Sequence, residues 1–200
     1  MKKLKFQDKE SWFEARRGKV TGTRLKDLII KRGTTKKIGF YELIAERIAI
    51  PPDDENPMER GTRLESEAIA KFEEETKKKV NTDLELWVRE DNEDIALSPD
   101  GSIEDSEAVE VKCLNSASHI KAFLTQKVPN EYVDQTLQYF IVNDDLDKLH
   151  VVFYDPRVMY KDYFVIEINR AEVEDQIELY TTLQHETLKE VKQIINDLSF

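Results

Sequence analysis

Cysteine is nearly absent from this 200-residue chain, with Cys113 the only one. A single thiol cannot close an intramolecular disulfide, assemble a four-cysteine zinc site or ligate an iron–sulfur cluster. Any metal must therefore be held by oxygen or nitrogen. Long apolar runs are missing as well. No window approaches the roughly 18 consecutive apolar residues of a membrane span, and residues 1–6 lack the apolar stretch of a secretory signal. The expectation is a soluble, cytoplasmic protein. Internal repeats and low-complexity linkers are also lacking, so residues 1–200 are expected to form one domain around one core. The single soft spot, residues 50–57, holds three prolines and several charges and reads as a loop inside that domain.

Acidic residues outnumber basic ones, for a net charge of −11. Taken alone, that argues against a nucleic-acid partner, because phosphate binding draws on lysine and arginine. The average hides an asymmetry. Residues 1–40 carry 13 Lys/Arg against 4 Asp/Glu, and the remaining 160 carry 17 against 37. The basic segment, expected to be helical over about 1–48, is the candidate for touching DNA. The acidic remainder reads as a solvated surface that also repels DNA from everywhere except the basic entrance.

Periodicity gives a coarse outline. Asp8 or Ser11 can cap a helix through Arg16, Thr21 or Thr23 a second through Ile30, and a third covers about 40–48. A long helix is expected over 60–78, with Leu64, Ala68, Ile69 and Phe72 as its apolar stripe. The period then changes. Residues 84–88, 95–97 and 108–112 read as strands of one antiparallel meander. Helical patterns return at 116–125 and 131–142, strands at 149–154 and 163–168, and a long helix from about Arg170. This order implies an α/β or α+β domain, a central sheet flanked by helices.

The sharpest local feature is Ser98-Pro99-Asp100-Gly101, followed ten residues after the aspartate by Glu110-Val111-Lys112. Side chains alternate along a strand, so Glu110 and Lys112 share a face while Val109 and Val111 take the other. A Pro-Asp-Gly turn ending the preceding strand would bring Asp100 beside Glu110. Two converging carboxylates raise each other's pKa or recruit a cation, and with a backbone carbonyl they form a hard-oxygen site suited to Mg²⁺ or Mn²⁺. A lysine alongside could stabilise charge on a phosphodiester in its transition state. Taken alone, the triplet fits equally well an exposed Glu/Lys pair after a hairpin turn.

Two further polar residues stand at helical spacing from apolar ones. Glu65 lies four residues before Ile69 and seven before Phe72, which places it on the core-facing side of its helix. Gln135 lies between Tyr132 and Tyr139 on an apolar face, where an amide is either satisfied within the core or orients water or phosphate. Gln138 is one turn further along.

Together these residues resemble the lambda exonuclease and YqaJ-type viral recombinase family of the PD-(D/E)xK nuclease superfamily. The signposts run in the family's order. They are Trp12 with residues 16–23, Gly61 to Glu65, Ser98 to Gly101, Val109 to Cys113, His119-Ile120-Lys121, Val128-Pro129, Tyr132 to Gln135, and Tyr154-Asp155-Pro156-Arg157. The resemblance implies a restriction-endonuclease-like core and a nuclease that digests one strand of duplex DNA from an end, 5′ to 3′, using two divalent ions. By position it implies that Asp100, Glu110, the Val111 carbonyl and Glu65 bind metal, that Lys112 serves the nucleophile with Gln135 in support, and that Arg16 and Thr23 hold the 5′-phosphate. Ring-shaped homotrimers and a single-strand annealing protein as partner are implied in the same way. The sequence departs from the pattern in three places. Two residues separate Gln135 from Gln138 where the family often has one, leaving open which amide faces the metals. Thr23 replaces a serine. Residues 114–119 lack an arginine that some members place on the phosphate, and His119 is either its substitute or a structural histidine. An internally cutting endonuclease with the same core, and a catalytically silent DNA-binding subunit, are the alternatives.

Overall fold

The computed structural model describes residues 7–17, 34–51 and 57–198. Helix α1 (Lys9–Arg16) begins where expected, with Asp8 as its N-cap accepting the Ser11 amide at 2.7 Å. The helix expected from Thr21 or Thr23 lies outside the described residues, as does most of the proline-rich loop. α2 (Ile38–Ile48) and α3 (Pro57–Thr76) follow, and α3 stops at Lys77, whose φ of 61° breaks the helical path.

Among the described residues, six strands form two sheets. β1 (Trp87–Arg89) and β2 (Asn92–Leu97) form an antiparallel ribbon. β3 (Gly101–Ile103), β4 (Glu107–Lys112), β5 (Lys148–Tyr154) and β6 (Tyr163–Asn169) form a sheet in that order, with only the β4–β5 pair parallel. α4 (Ser116–Thr125) and α5 (Asn130–Val142) make the crossover between those parallel strands, and α6 (Arg170–Leu198) follows β6 directly. The expected mixed sheet flanked by helices is present.

One expectation fails. Residues 84–88, 95–97 and 108–112 do not form a single meander. Ser98-Pro99 interrupts the chain after β2, and proline cannot donate to a ladder, so pairing restarts at Gly101. β3, which the periodicity overlooked, becomes the antiparallel neighbour of β4. Leu84 and Leu86 are exposed and unpaired instead of starting a strand. Gly101 is required by close packing, because a Cβ there would lie 2.4 Å from the Val80 side chain, where Asn81 bridges to Ser102.

The sheet is covered on both faces. Leu64, Ala68, Ile69 and Phe72 of α3 pack on Val109, Val111 and Val152. Leu137, Phe140 and Ile141 of α5, with Ile177 of α6, pack on Ala108, Leu149, Val151 and Phe153. Strand alternation thus assigns each β4 side chain to a layer, with consequences for the polar residues at its end.

Candidate active site

Ala108 belongs to the α5 layer and Val109 and Val111 to the α3 layer, so Glu110 and Lys112 emerge on the α5 side. Glu110 is 1% exposed. A carboxylate so buried needs donors on its oxygens, and it has them: Lys112 Nζ donates to Oε1 and the Tyr139 hydroxyl to Oε2. Lys112 is held twice more, donating to Gln135 Oε1 at 2.9 Å and lying 4.5 Å from the centre of the Tyr132 ring. From the other side Asp100, one residue before the Gly101–Val109 pair, accepts the Val111 backbone N–H on Oδ2 at 2.8 Å. Asp100 therefore sits at the start of β3 and not at the end of β2.

Three carboxyls feel one another here. Burial, and then the Glu110 charge, push the Asp100 carboxyl up to about 7, although the Val111 amide and Lys112 pull the other way. Glu65, half-buried on α3, is raised by burial and next by Glu110. One lysine does not offset three acids, and the oxygen donors suit a hard divalent cation. Among the described residues, no three Asp, Glu, His or Cys side chains stand close enough to form a ready-made ion cage. Both Glu110 oxygens are instead taken by Lys112 and Tyr139.

Residues 11–145 match the YqaJ-like viral recombinase domain. The chain belongs to that family. A search of curated proteins gives no match. Among solved structures, the alkaline exonuclease LHK-Exo from Laribacter hongkongensis is similar, with a TM-score of 0.57 and 29% identity, covering 95% of this chain and 100% of that one. The LHK-Exo complex with dAMP has a TM-score of 0.56 at the same identity and coverage. These neighbours are exonucleases with a restriction-endonuclease-like fold, so the expected core is present in this YqaJ-family chain. Family and neighbours together support a nuclease acting in recombination.

Two side chains in this recombinase-family fold differ from the sequence reading, and two that it left open are decided by their partners. Gln135 is exposed and not buried on an apolar face; α5 presents it at the open edge of the layer, where it accepts from Lys112. Glu65 stands at the margin of the α3 stripe rather than within it. Gln138 turns from the acidic cluster and exchanges hydrogen bonds with Gln184 of α6, at 2.9 and 3.3 Å, so Gln135 is the amide beside Lys112. His119 is a core residue. It is fully buried against Phe164, with Nε2 2.8 Å from the Lys161 carbonyl, and burial lowers its pKa, which favours a neutral ring that cannot act as a phosphate-binding cation. Arg16 closes α1 and is half-buried, while Thr23 lies outside the described residues.

Sequence reasoning missed the brace behind the site. Asp155 is fully buried and accepts from Arg60 on α3 at 2.8 Å, from Ser116 at the start of α4 at 2.7 Å, and three times from Arg157, through its guanidinium at 2.9 and 3.1 Å and its backbone N–H at 3.2 Å. Burial would raise its carboxyl, but the Arg157 and Ser116 hydrogen bonds outweigh that and hold it below the usual range. Arg60 also donates to the Cys113 carbonyl just beyond Lys112. The Asp155-Pro156-Arg157 signpost was visible; its partners 39 and 95 residues away were not.

Proposed function

We propose that this chain is a Mg²⁺-dependent exonuclease that degrades one strand of linear double-stranded DNA 5′ to 3′ from 5′-phosphorylated ends. It leaves a 3′ single-stranded overhang for phage-type homologous recombination. The observation that carries this reading is the convergence of Asp100, Glu110 and Lys112 at one end of β3 and β4, with Glu65 and Gln135 beside them, in a chain of the YqaJ-like family. LHK-Exo, an alkaline exonuclease that superimposes over nearly the whole chain, supports it.

Asp100, Glu110, the Val111 carbonyl and Glu65 hold the ions, two per site, with Mn²⁺ able to substitute. The donor set fits, because carboxyls raised by burial and by one another are those a cation would relieve. The bound metal supplies Lewis acidity and lowers the pKa of a water. Lys112, held between Glu110 and Gln135, presents its ammonium to the charge that develops on the phosphate and orients the attacking water. Gln135 keeps the lysine in register. Arg16 and Thr23 receive the 5′-phosphate, in line with the basic charge of residues 1–40. The chain works in the cytoplasm as one nuclease domain, as a homotrimer around DNA, beside a single-strand annealing protein.

The test is incubation with 5′-phosphorylated linear duplex and with a closed circle of the same sequence, with and without Mg²⁺, alongside Asp100→Ala. Metal-dependent mononucleotide release from the linear substrate alone, abolished by the substitution, is expected. Cutting of the circle would move the assignment to an endonuclease, and no cutting would leave a DNA-binding subunit. Arg16→Ala is expected to erase the preference for phosphorylated over hydroxyl ends; equal rates of wild type and variant on phosphorylated ends would remove the end-recognition step.

A further inference from the structure

Helix α5 carries more of the site than Gln135. Tyr132, Gln135 and Tyr139 stand at i, i+3 and i+7, a single stripe facing Glu110 and Lys112. The first two hold Lys112. The third reaches the acids. Tyr139 is fully buried, and its ring meets Trp87 of β1 edge-on at 6.1 Å between centres. A phenol that deep must find partners for its hydroxyl. It donates to Glu110 Oε2 and accepts the Asp100 backbone N–H at 3.4 Å, so one oxygen touches both residues of the proposed metal pair.

From this bridge we infer that Tyr139 is a positioning residue for metal binding: its hydroxyl sets the orientation of the Glu110 carboxylate and ties it to the Asp100 backbone. The inference rests on the nuclease reading above. Glu110 arrives on β4, Asp100 on the turn that opens β3, and neither strand controls the torsions of a carboxylate. A donor fixed on Oε2 leaves Oε1 as the oxygen that points to Lys112 and the open edge. Trp87 packs the ring, so the two-stranded ribbon acquires a part in the site that its distance from the β4 motif conceals. Partners behind metal ligands typically change affinity or activity by roughly 10- to 100-fold when removed.

Tyr139→Phe keeps the ring and removes the donor. The expected outcome is a fall of roughly tenfold or more in both Mn²⁺ affinity, read by calorimetry, and turnover on linear duplex. The far-UV circular dichroism spectrum and metal-free affinity for duplex should stay unchanged. A merely structural tyrosine would lower the melting temperature and leave Mn²⁺ affinity intact, which would overturn the inference. If Tyr139→Phe does not fold, 3-fluorotyrosine at position 139 keeps both ring and hydroxyl. A fluorine resonance that moves as Mg²⁺ is titrated supports the bridge, and one that stays still overturns it. Wild-type protein that neither binds Mn²⁺ nor cuts DNA would remove the nuclease reading and this inference together. Active wild type beside an unaltered Tyr139→Phe removes this inference alone.

Discussion

The Asp100 carboxylate accepts the backbone N–H of Val111 at 2.8 Å, across the gap between the turn that opens β3 and the strand that carries Glu110 and Lys112. The two are eleven positions apart in the chain. The bond fixes one Asp100 oxygen and leaves the carboxyl where burial and Glu110 hold its pKa at about 7.

A pH dependence follows. An acid whose folded pKa is raised binds more protons folded than unfolded, so its contribution to stability is full below the unfolded value of 3.8 and is lost as pH rises through about 7. Without metal, wild type should therefore lose stability relative to Asp100→Asn as pH rises across that window, whatever the remaining carboxyls contribute to both. A bound divalent ion reverses the sign, since it favours the ionised form. Scanning fluorimetry should show a larger Mg²⁺-induced rise at pH 8 than at pH 6; equal shifts at both would contradict the proposed role of Asp100.

Lys112→Ala separates binding from turnover. Its ammonium contacts Glu110, Gln135 and the Tyr132 ring, all outside the basic N-terminal segment assigned to the DNA end. Single-turnover cleavage should fall by roughly 10² or more, as for loss of a transition-state group, with duplex affinity retained. Near-normal cleavage would reassign the lysine to structure.

Gln135 and Gln138, three residues apart on α5, should behave differently. Gln135→Ala changes an exposed position and removes one of the three contacts that hold Lys112, so cleavage should slow with little change in melting. Gln138→Ala breaks the exchange with Gln184 and should cost about 1 kcal/mol in stability, leaving the rate unaltered. Denaturant titrations paired with kinetics on both variants decide the matter, and the opposite pattern would mean that α5 is rotated from the orientation described.

Removing the Asp155 carboxylate should destabilise the fold strongly. Asp155→Ala strands Arg60, which is 8% exposed, and takes a partner from Ser116 and Arg157. Breaking one side of a buried ion pair costs about 3–5 kcal/mol. Urea unfolding reads the loss; a change below about 1 kcal/mol would place the pair in the range of exposed bridges.

Much of this protein follows from local spacing. Helix α4, strands β5 and β6 and the start of α6 fall within a residue or so of where the local pattern placed them. Alternation over residues 108–112 was enough to put Glu110 and Lys112 on one side and the valines on the other. The tertiary structure alone decided which strand lies beside which. β3 is too short to show a period, and Pro99 diverted the chain so that β1 and β2 pair apart from the sheet. It also decided that Gln135 and not Gln138 meets Lys112, that His119 is buried, that Tyr139 reaches Glu110, and that Asp155 binds Arg60. The reason is physical. Spacing states which residues share a face, but what that face meets depends on packing between segments distant in sequence, where a buried polar group settles only where its partners arrive.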